Sequence, residues 1–210
     1  MDEKLLKSLC RDMEDYNMAK EVEIRRLWLV RTIEWIETEE AGNQYMSSTA
    51  WVTQQIMRFN REDMDLPVGE RKPIILYINC PGGDSYEGLM LISAIELSKT
   101  PIYTVVVGKS CSMAFLIGLC GDYRLAFPNA IFLLHDGQVS VDGTTGKVND
   151  TIEFYKKMET EFFKKLVLKH SHMKSKDYNK VKDAEYYMTA KEALKWGFID
   201  EIVSDINIIL

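Results

Sequence analysis

Two nearly uninterrupted apolar segments constrain the fold of this chain more than any other feature of its sequence. They are "PIILYINC" at 73–80 and "PIYTVVVG" at 101–108, and a third, "AIFLLH", follows at 130–135. Strands of this composition are buried on both faces, as in parallel sheets that helices cover on each side. Because a segment of helical character lies between each pair of strands, we expect an α/β domain with right-handed crossovers.

The joins between these strands predict where the helices begin. We expect one helix from about Ser85, and a second one soon after the middle strand ends at Gly108. Ser110 is the candidate N-cap of the second helix, because a serine hydroxyl can accept a hydrogen bond from a free N–H group of the first turn. Near the C-terminus, Thr189 is expected to cap a short helix that ends at Gly197.

Composition and charge exclude several classes of function. The chain has 210 residues and a formal net charge of −6. This charge argues against nucleic acid or an anionic membrane surface as the main partner, because either would need a basic face. The N-terminal residues are charged throughout, and no apolar run reaches the roughly 18 residues of a membrane span, so we expect a cytoplasmic protein. The cysteines form no CxxC pair, and we expect neither a metal site nor a cofactor.

A long amphipathic helix is predicted over 146–170. Apolar residues recur there every three or four positions, which is the period of one helix face. Glu159 is the charged exception in this stripe, whose members are Val148, Ile152, Tyr155, Glu159, Phe162 and Leu166.

Three candidate functional features fall at the ends of the predicted strands, where open α/β sheets build their sites. "CPGG" at 80–83 offers two glycines that allow backbone N–H groups to approach a ligand closely. Ser112 lies at the start of a helix, and His135 closes the third strand. Each has an ordinary structural explanation, as a turn, a helix-start serine or a rim histidine. Together they supply backbone donors, a nucleophile and a base, which acyl transfer requires.

Three ordered motifs resemble those of the ClpP family, the proteolytic subunits of the Clp protease, which share the crotonase-type fold. The motifs are "LYINCPGGDSYEGL", "VGKSCSMAFLIGLCGDYRLAFPNAIFLLHDG" and "YYMTAKEALKWGFIDEIV", and the likeness covers about residues 25 to 204. The resemblance implies an α/β fold of repeated ββα units with a protruding handle helix. It also implies a serine endopeptidase that cleaves unfolded proteins through an acyl-enzyme.

The resemblance assigns roles to individual residues of this chain. Ser112 is similar to the family's nucleophile and His135 to its general base, so the hydroxyl is expected within hydrogen-bond reach of the imidazole. The backbone N–H groups of Gly83 and Met113 resemble the oxyanion hole. No metal ligand is implied.

The third member of the catalytic triad is the weakest part of the match. The family's aspartate lies eight residues before the serine of a Ser-Ala dipeptide, and the same count back from Thr189 reaches Val181. A gap of two residues places Asp183 in this role, and Asp177 is the other nearby carboxylate. We therefore expect Asp183 to orient the histidine, a role that is worth orders of magnitude in rate.

The same resemblance implies a domain organisation and an assembly. Residues 1–24 are expected to form a charged N-terminal segment, either an axial loop or a helix. The head domain is expected to comprise residues 25–145 and 171–204, and the handle helix residues 146–170. Residues 205–210 are expected to form a C-terminal tail. The subunits are expected to form a homo-oligomer of stacked heptameric rings. The implied partners are a ring-shaped AAA+ unfoldase ATPase of the ClpX, ClpA or ClpC type and unfolded protein substrates, with neither nucleic acid nor membrane.

Two alternatives remain open from the sequence. One is a catalytically impaired ClpP-like ring subunit with a structural role, which the uncertain aspartate supports and the presence of both Ser112 and His135 opposes. The other is a crotonase-type acyl-CoA enzyme, which the Ser–His pair disfavours because that class usually uses carboxylates for proton transfer.

A fluorophosphonate probe distinguishes these hypotheses. An active serine peptidase should be labelled at Ser112, because an activated hydroxyl attacks the phosphorus, and Ser112→Ala should abolish the labelling. The measurement is mass spectrometry of the labelled peptide. An assembled oligomer that stays unlabelled would instead support the structural ring subunit.

Overall fold

A mixed sheet of mostly parallel strands forms the centre of the computed structural model, which describes residues 19–34 and 48–209. Its strands are β1 (Arg26–Val30), β2 (Ile74–Cys80), β3 (Ile102–Cys111), β4 (Tyr123–Ala126), β5 (Ile131–Leu134), β6 (Tyr186–Thr189) and β7 (Glu201–Ile202). They lie in the order β1-β2-β3-β4-β7, with β5 parallel to the far end of β3 and β6 antiparallel to β5. The predicted α/β class is therefore confirmed.

Helices connect these strands, as the sequence pattern predicts. They are α1 (Ser48–Glu62), α2 (Ser85–Leu97), α3 (Met113–Leu119), α4 (Thr145–Met158), α5 (Lys164–Lys169), α6 (Ser175–Val181) and α7 (Ala190–Trp196). Short 3₁₀ turns occur at Val68–Glu70 and Ile206–Ile208. Residues 19–23 are also helical, whereas residues 1–18 of the charged N-terminal segment lie outside the described residues.

Two of the three caps that the sequence predicts, Thr189 and Gly197, are confirmed, as is the predicted start of α2 at Ser85. The Asp84 carboxylate accepts hydrogen bonds from the first turn of α2, which begins at Ser85. Thr189 caps α7 in a reciprocal capping box with Glu192, and Gly197 ends that helix with a φ of 72°. The prediction of Ser110 as a cap is wrong, because β3 continues three residues beyond Gly108.

Strand β3 extends past Gly108 because its two halves have different partners. The first half pairs with β4 from Tyr103 to Val106, and the second half pairs with β5 from Lys109 to Cys111. Ser110 is consequently a strand residue that is 1% exposed, and its hydroxyl donates to the Ala114 carbonyl at 2.9 Å. Helix α3 begins only at Met113.

Apolar residues are buried on both faces of the sheet, as expected for strands without polar alternation. The larger core lies under the helices and includes Phe59, Leu91, Phe115 and Phe198. A smaller cluster covers the opposite face around Tyr77, whose hydroxyl donates to a carbonyl of the C-terminal turn. None of the helices in the described part of the chain has the length and apolarity that crossing a bilayer requires.

The range predicted as one amphipathic helix is helical without a break from Thr145 to Lys169. A π-helical segment, Glu159–Phe163, joins α4 to α5 within it. Two of the five apolar residues in the predicted stripe are exposed, Ile152 at 39% and Phe162 at 44%. Its role as a handle between rings stays a prediction, as do the proposed domain boundaries.

A buried ion pair joins the start of β1 to the end of α1. The Arg25 guanidinium donates to both carboxylate oxygens of Asp63, at 2.6 and 2.7 Å, and the Thr100 hydroxyl donates to the same carboxylate at 2.8 Å. Asp63 is 2% exposed. The hydrogen bonds from Arg25 and then from Thr100 hold the pKa of Asp63 below its ordinary value.

Asp63→Asn should reduce the free energy of unfolding by about 2 kcal/mol at neutral pH, because it removes charge-assisted hydrogen bonds from a buried site. Since the folded-state pKa of Asp63 is lowered, this contribution is present above the unfolded-state pKa of about 3.9 and is lost as the pH falls below it. Urea denaturation at several pH values measures the difference from the unmodified chain.

Asp65→Asn is the matched control for this pair, because Asp65 is exposed and two residues away. It should change the free energy of unfolding by less than about 0.5 kcal/mol. Equal losses for the two variants, or a loss at Asp63 that does not depend on pH, would contradict the assignment.

Candidate active site

The candidate site lies where three neighbouring strands end. Strands β2, β3 and β5 are parallel, so their carboxyl ends meet at one edge of the sheet. Gly82 and Gly83 follow β2, Ser112 follows β3 and His135 follows β5. The topology therefore brings together all three features that the sequence places at strand ends.

Ser112 occupies a strained backbone conformation between β3 and α3. Its φ of 54° and ψ of −127° lie in a region that non-glycine residues rarely adopt, at a typical cost of about 1–3 kcal/mol. The neighbouring structure maintains this geometry, because the Ser112 N–H donates to the Leu133 carbonyl and the Ser112 carbonyl accepts from the N–H groups of Phe115 and Leu116. The sharp turn places the residue at the rim of the sheet.

His135 is held by a carboxylate on one side of its ring. Its Nδ1 lies 3.0 Å from Oε1 of Glu185, and its side chain is 22% exposed. Its Nε2 is buried and has no hydrogen-bond partner among the described residues. A general base needs an imidazole whose Nδ1–H donates to an acceptor and whose Nε2 is free to take a proton. Glu185 is in place as that acceptor, and Nε2 is free of partners among the described residues.

The predicted hydrogen bond between Ser112 and His135 is not formed. Both residues line one cleft, but Nε2 of His135 has no partner within residues 19–34 and 48–209, so the hydroxyl of Ser112 is not bonded to it. Catalytic hydrogen bonds are often long without substrate and tighten when substrate is bound. The structure thus brings the two residues to the same site without joining them.

Asp183 does not take the position that the sequence analysis assigned to it. Its carboxylate pairs with the ammonium of Lys182, and its side chain is 67% exposed. Glu185 contacts His135 instead because of the strand register. Strands β5 and β6 pair antiparallel with Leu134 opposite Tyr186, so the next residues outward, His135 and Glu185, are cross-strand neighbours.

Sequence reasoning missed Glu185 because it counted residues along the chain. The signal that could have found it is the pairing of "IFLL" with "YYMT" as an antiparallel ladder, which sets Glu185 beside His135. Asp177, the other carboxylate considered, lies in the first turn of α6 and pairs with Lys180.

Two backbone N–H groups remain available beside Ser112. Those of Gly83 and Met113 donate to no acceptor among the described residues, whereas the Asp84 N–H donates to the carbonyl of Ile33. Gly83 has a φ of 141°, which favours glycine, and a Cβ there would lie 1.9 Å from the Ile33 oxygen. The turn therefore depends on glycine, and its free donors can serve developing negative charge.

These residues line a cleft of about 500 Å³ between the sheet edge and the helical stretch that includes α4. Its apolar lining comes from α3, β5, the segment after His135 and the π-helical segment, and comprises Met113, Leu116, Leu133, Leu134, Val139 and Phe163. Ser112, His135 and Gly83 are at this cleft. An apolar cleft with a few convergent polar groups is the usual form of a small ligand or peptide site.

One group of potential metal ligands lies elsewhere in the described part of the chain. Ligand atoms of Glu96, Cys120 and His170 are all within 4.8 Å of one another. The ammonium of Lys169 donates to the same Glu96 carboxylate at 2.6 Å, so a protein cation already balances that charge. Burial raises the pKa of the Cys120 thiol to about 12, which keeps it protonated.

A serine at a strained strand-to-helix turn, a histidine paired with a carboxylate and two free backbone donors define an α/β protein with the parts that acyl transfer uses. A family model described as Clp protease matches residues 42–205. The chain belongs to the Clp protease family, and the fold expected from the sequence motifs is confirmed.

The chain is similar to proteolytic subunits of the ATP-dependent Clp protease from several bacteria. The chain is 30% identical over 132 residues to the ATP-dependent Clp protease proteolytic subunit of Deinococcus radiodurans, a match that covers 62% of this chain and 64% of that protein. It is 34% identical over 137 residues to that of Streptococcus mutans, covering 64% and 70%. For the Bacteroides thetaiotaomicron protein the identity is 31%, covering 63% and 60%. The chain thus spans less than two thirds of two of these three relatives.

Gly83→Ala should reduce the free energy of unfolding by at least about 2 kcal/mol, because the new Cβ collides with the Ile33 carbonyl and the backbone must leave its φ of 141°. It should also abolish fluorophosphonate labelling, because the shift moves the free N–H group of Gly83. Urea denaturation and labelling measure the two effects. Gly69→Ala, where the added Cβ meets nothing within 4 Å, is the control, and equal behaviour of the two variants would contradict this account.

Proposed function

We propose that this chain is a serine endopeptidase that acts as the proteolytic subunit of a self-compartmentalised, ATP-dependent protease. The observation that carries the proposal is the unpaired, buried Nε2 of His135, in a ring whose Nδ1 is paired with Glu185, beside Ser112 in one cleft. Membership of the Clp protease family supports peptide hydrolysis as the reaction.

Each residue of the site has a defined part in the proposed reaction. Ser112 Oγ attacks the carbonyl carbon of the peptide bond, and His135 Nε2 takes the hydroxyl proton. The tetrahedral oxyanion accepts hydrogen bonds from the N–H groups of Gly83 and Met113. His135 then gives the proton to the leaving amine, and an acyl-enzyme remains on Ser112. A water molecule, deprotonated by His135, releases the acid product and restores the serine.

Glu185 is proposed as the orienting carboxylate. By accepting a hydrogen bond from Nδ1–H, it holds the ring in the tautomer whose Nε2 can accept a proton, and it stabilises the imidazolium that forms. This role belonged to Asp183 in the sequence analysis, and the contact at 3.0 Å favours Glu185. Because Glu185 is 61% exposed, we expect its effect to be smaller than that of a buried aspartate.

The assembly and partners are part of the same proposal. The relatives are named as proteolytic subunits of an ATP-dependent protease, which supports a homo-oligomer served by an AAA+ unfoldase ATPase. Stacked heptameric rings, unfolded proteins as substrates and a cytoplasmic location complete it. The shared cleft of Ser112 and His135 counts against the alternative of a catalytically impaired ring subunit.

Peptide hydrolysis by point variants tests the proposal. His135→Ala should abolish cleavage of a short fluorogenic peptide and leave assembly intact, because the side chain lies at the sheet rim. Glu185→Gln should lower kcat by roughly 100-fold, since it removes the charged acceptor at Nδ1. Asp183→Asn is the matched control and should leave the rate unchanged.

Native mass spectrometry checks that each variant assembles like the unmodified chain. Cleavage at the native rate by His135→Ala would refute its role as the base. A large loss in Asp183→Asn with none in Glu185→Gln would return the orienting role to Asp183.

A further inference from the structure

Glu159 is a charged residue that the proposed reaction does not use, although it lies at the candidate site. In the sequence it interrupts an apolar stripe, and in the structure it begins the π-helical segment between α4 and α5. It lines the cleft together with Tyr155 and Phe163. π-Helical segments within α-helices are frequent at functional sites, so this carboxylate is a candidate for binding a ligand.

The residues that line the cleft include two carboxylates, and the nearby Lys182 pairs with Asp183 rather than with either of them. Among the described residues that line it, Asp84 and Glu159 carry carboxylates, and neither lysine nor arginine is present. The Asp84 carboxylate is occupied, because it accepts from the N–H groups of Tyr86 and Glu87 at the start of α2. Glu159 is therefore the carboxylate that can face a bound side chain.

A buried tyrosine holds the Glu159 carboxylate in place. The Tyr178 hydroxyl donates to Oε1 of Glu159, and Tyr178 is 2% exposed. Burial, and then the hydrogen bond to Glu159, raise the pKa of Tyr178, so it stays a donor at neutral pH. Oε2 of Glu159 accepts no hydrogen bond from the described residues, which leaves it available to a ligand.

The rest of the cleft suits the stem of a long cationic side chain. Leu133, Leu134 and Phe163 present apolar surface in the cleft that Ser112 and Glu159 also line. Lysine and arginine bury their methylene stems against such surface while their charged ends seek a hydrogen-bond acceptor. A charge-assisted hydrogen bond to a preoriented carboxylate is stronger than a neutral one.

We propose that Glu159 is a specificity-determining residue that makes the cleft favour substrates with lysine or arginine at P1, the residue on the amino side of the cleaved bond. The inference rests on the proposed peptidase function and names its substrate preference. The test must distinguish this specificity role from a purely structural role, in which Glu159 only anchors Tyr178.

The test compares three fluorogenic tripeptides, Ala-Ala-X coupled to aminomethylcoumarin, in which X is lysine, leucine or glutamate. With the full-length assembled chain, kcat/KM should be at least about tenfold higher for lysine than for glutamate. Glu159→Gln, which keeps an acceptor for Tyr178 but removes the charge, should lower kcat/KM for lysine about tenfold. The value for leucine should change by less than about twofold.

Two further variants separate charge from structure. Tyr178→Phe removes the hydrogen bond but keeps the carboxylate, so the preference for lysine over glutamate should persist. Glu153→Gln makes the same charge change at an exposed position of α4 and should leave all three rates unaltered. Equal losses for all three peptides in both Glu159→Gln and Tyr178→Phe would assign Glu159 a structural role and overturn the proposal.

Covalent labelling gives a readout that does not depend on turnover. Peptidyl diphenyl phosphonates with a lysine-like or leucine-like P1 group should both modify Ser112, and Glu159→Gln should slow only the lysine-like reagent. Equal reaction rates for the two reagents in both proteins would refute the specificity. If no peptide is cleaved and Ser112 is never labelled, the peptidase function itself fails, and the inference fails with it.

Discussion

The pairing of the second half of β3 with β5 is the constraint on which the site depends. Hydrogen bonds between Lys109–Cys111 and Ile131–Leu133 extend β3 beyond its contact with β4. The extended strand ends at Cys111, directly before the turn at Ser112. The same pairing sets the end of β5 beside that turn, so that His135 emerges at the same edge. Phe132, Leu133 and Leu134 of β5 are buried, and this fixes the register, because slipping it by one residue would turn apolar side chains to solvent.

The site combines local strain with fixed polar partners. The strained turn at Ser112 and the glycine turn at Gly83 leave backbone donors without an acceptor in the described part of the chain, and the surrounding strands maintain both conformations. The carboxylate of Glu185 contacts Nδ1 of His135, while Nε2 of the same ring has no hydrogen-bond partner among the described residues. Glu159, in the π-helical segment, adds a carboxylate to a cleft with much apolar lining.

Much of the fold could be predicted from the sequence because its signals are local and strong. The apolar runs predicted β2 and β5 to within a few residues, and the caps at Thr189 and Gly197 follow from side-chain and backbone preferences. The end of β3 could not be predicted in this way. Gly108 is a residue type that often ends a strand. Pairing with β5, which is distant in sequence, nevertheless continues β3 through Ser110.

The sequence by itself determined the parallel α/β framework and three components of the candidate site, namely the diglycine turn, Ser112 and His135, because each stands at the end of a recognisable strand. Only the tertiary structure decided which carboxylate meets the histidine. That choice depends on the antiparallel register of β5 and β6, which sets Glu185 across from His135 and leaves Asp183 to pair with Lys182. The spacing of residues in the sequence does not show which residues of two strands are neighbours, because long-range packing fixes the register of the strands.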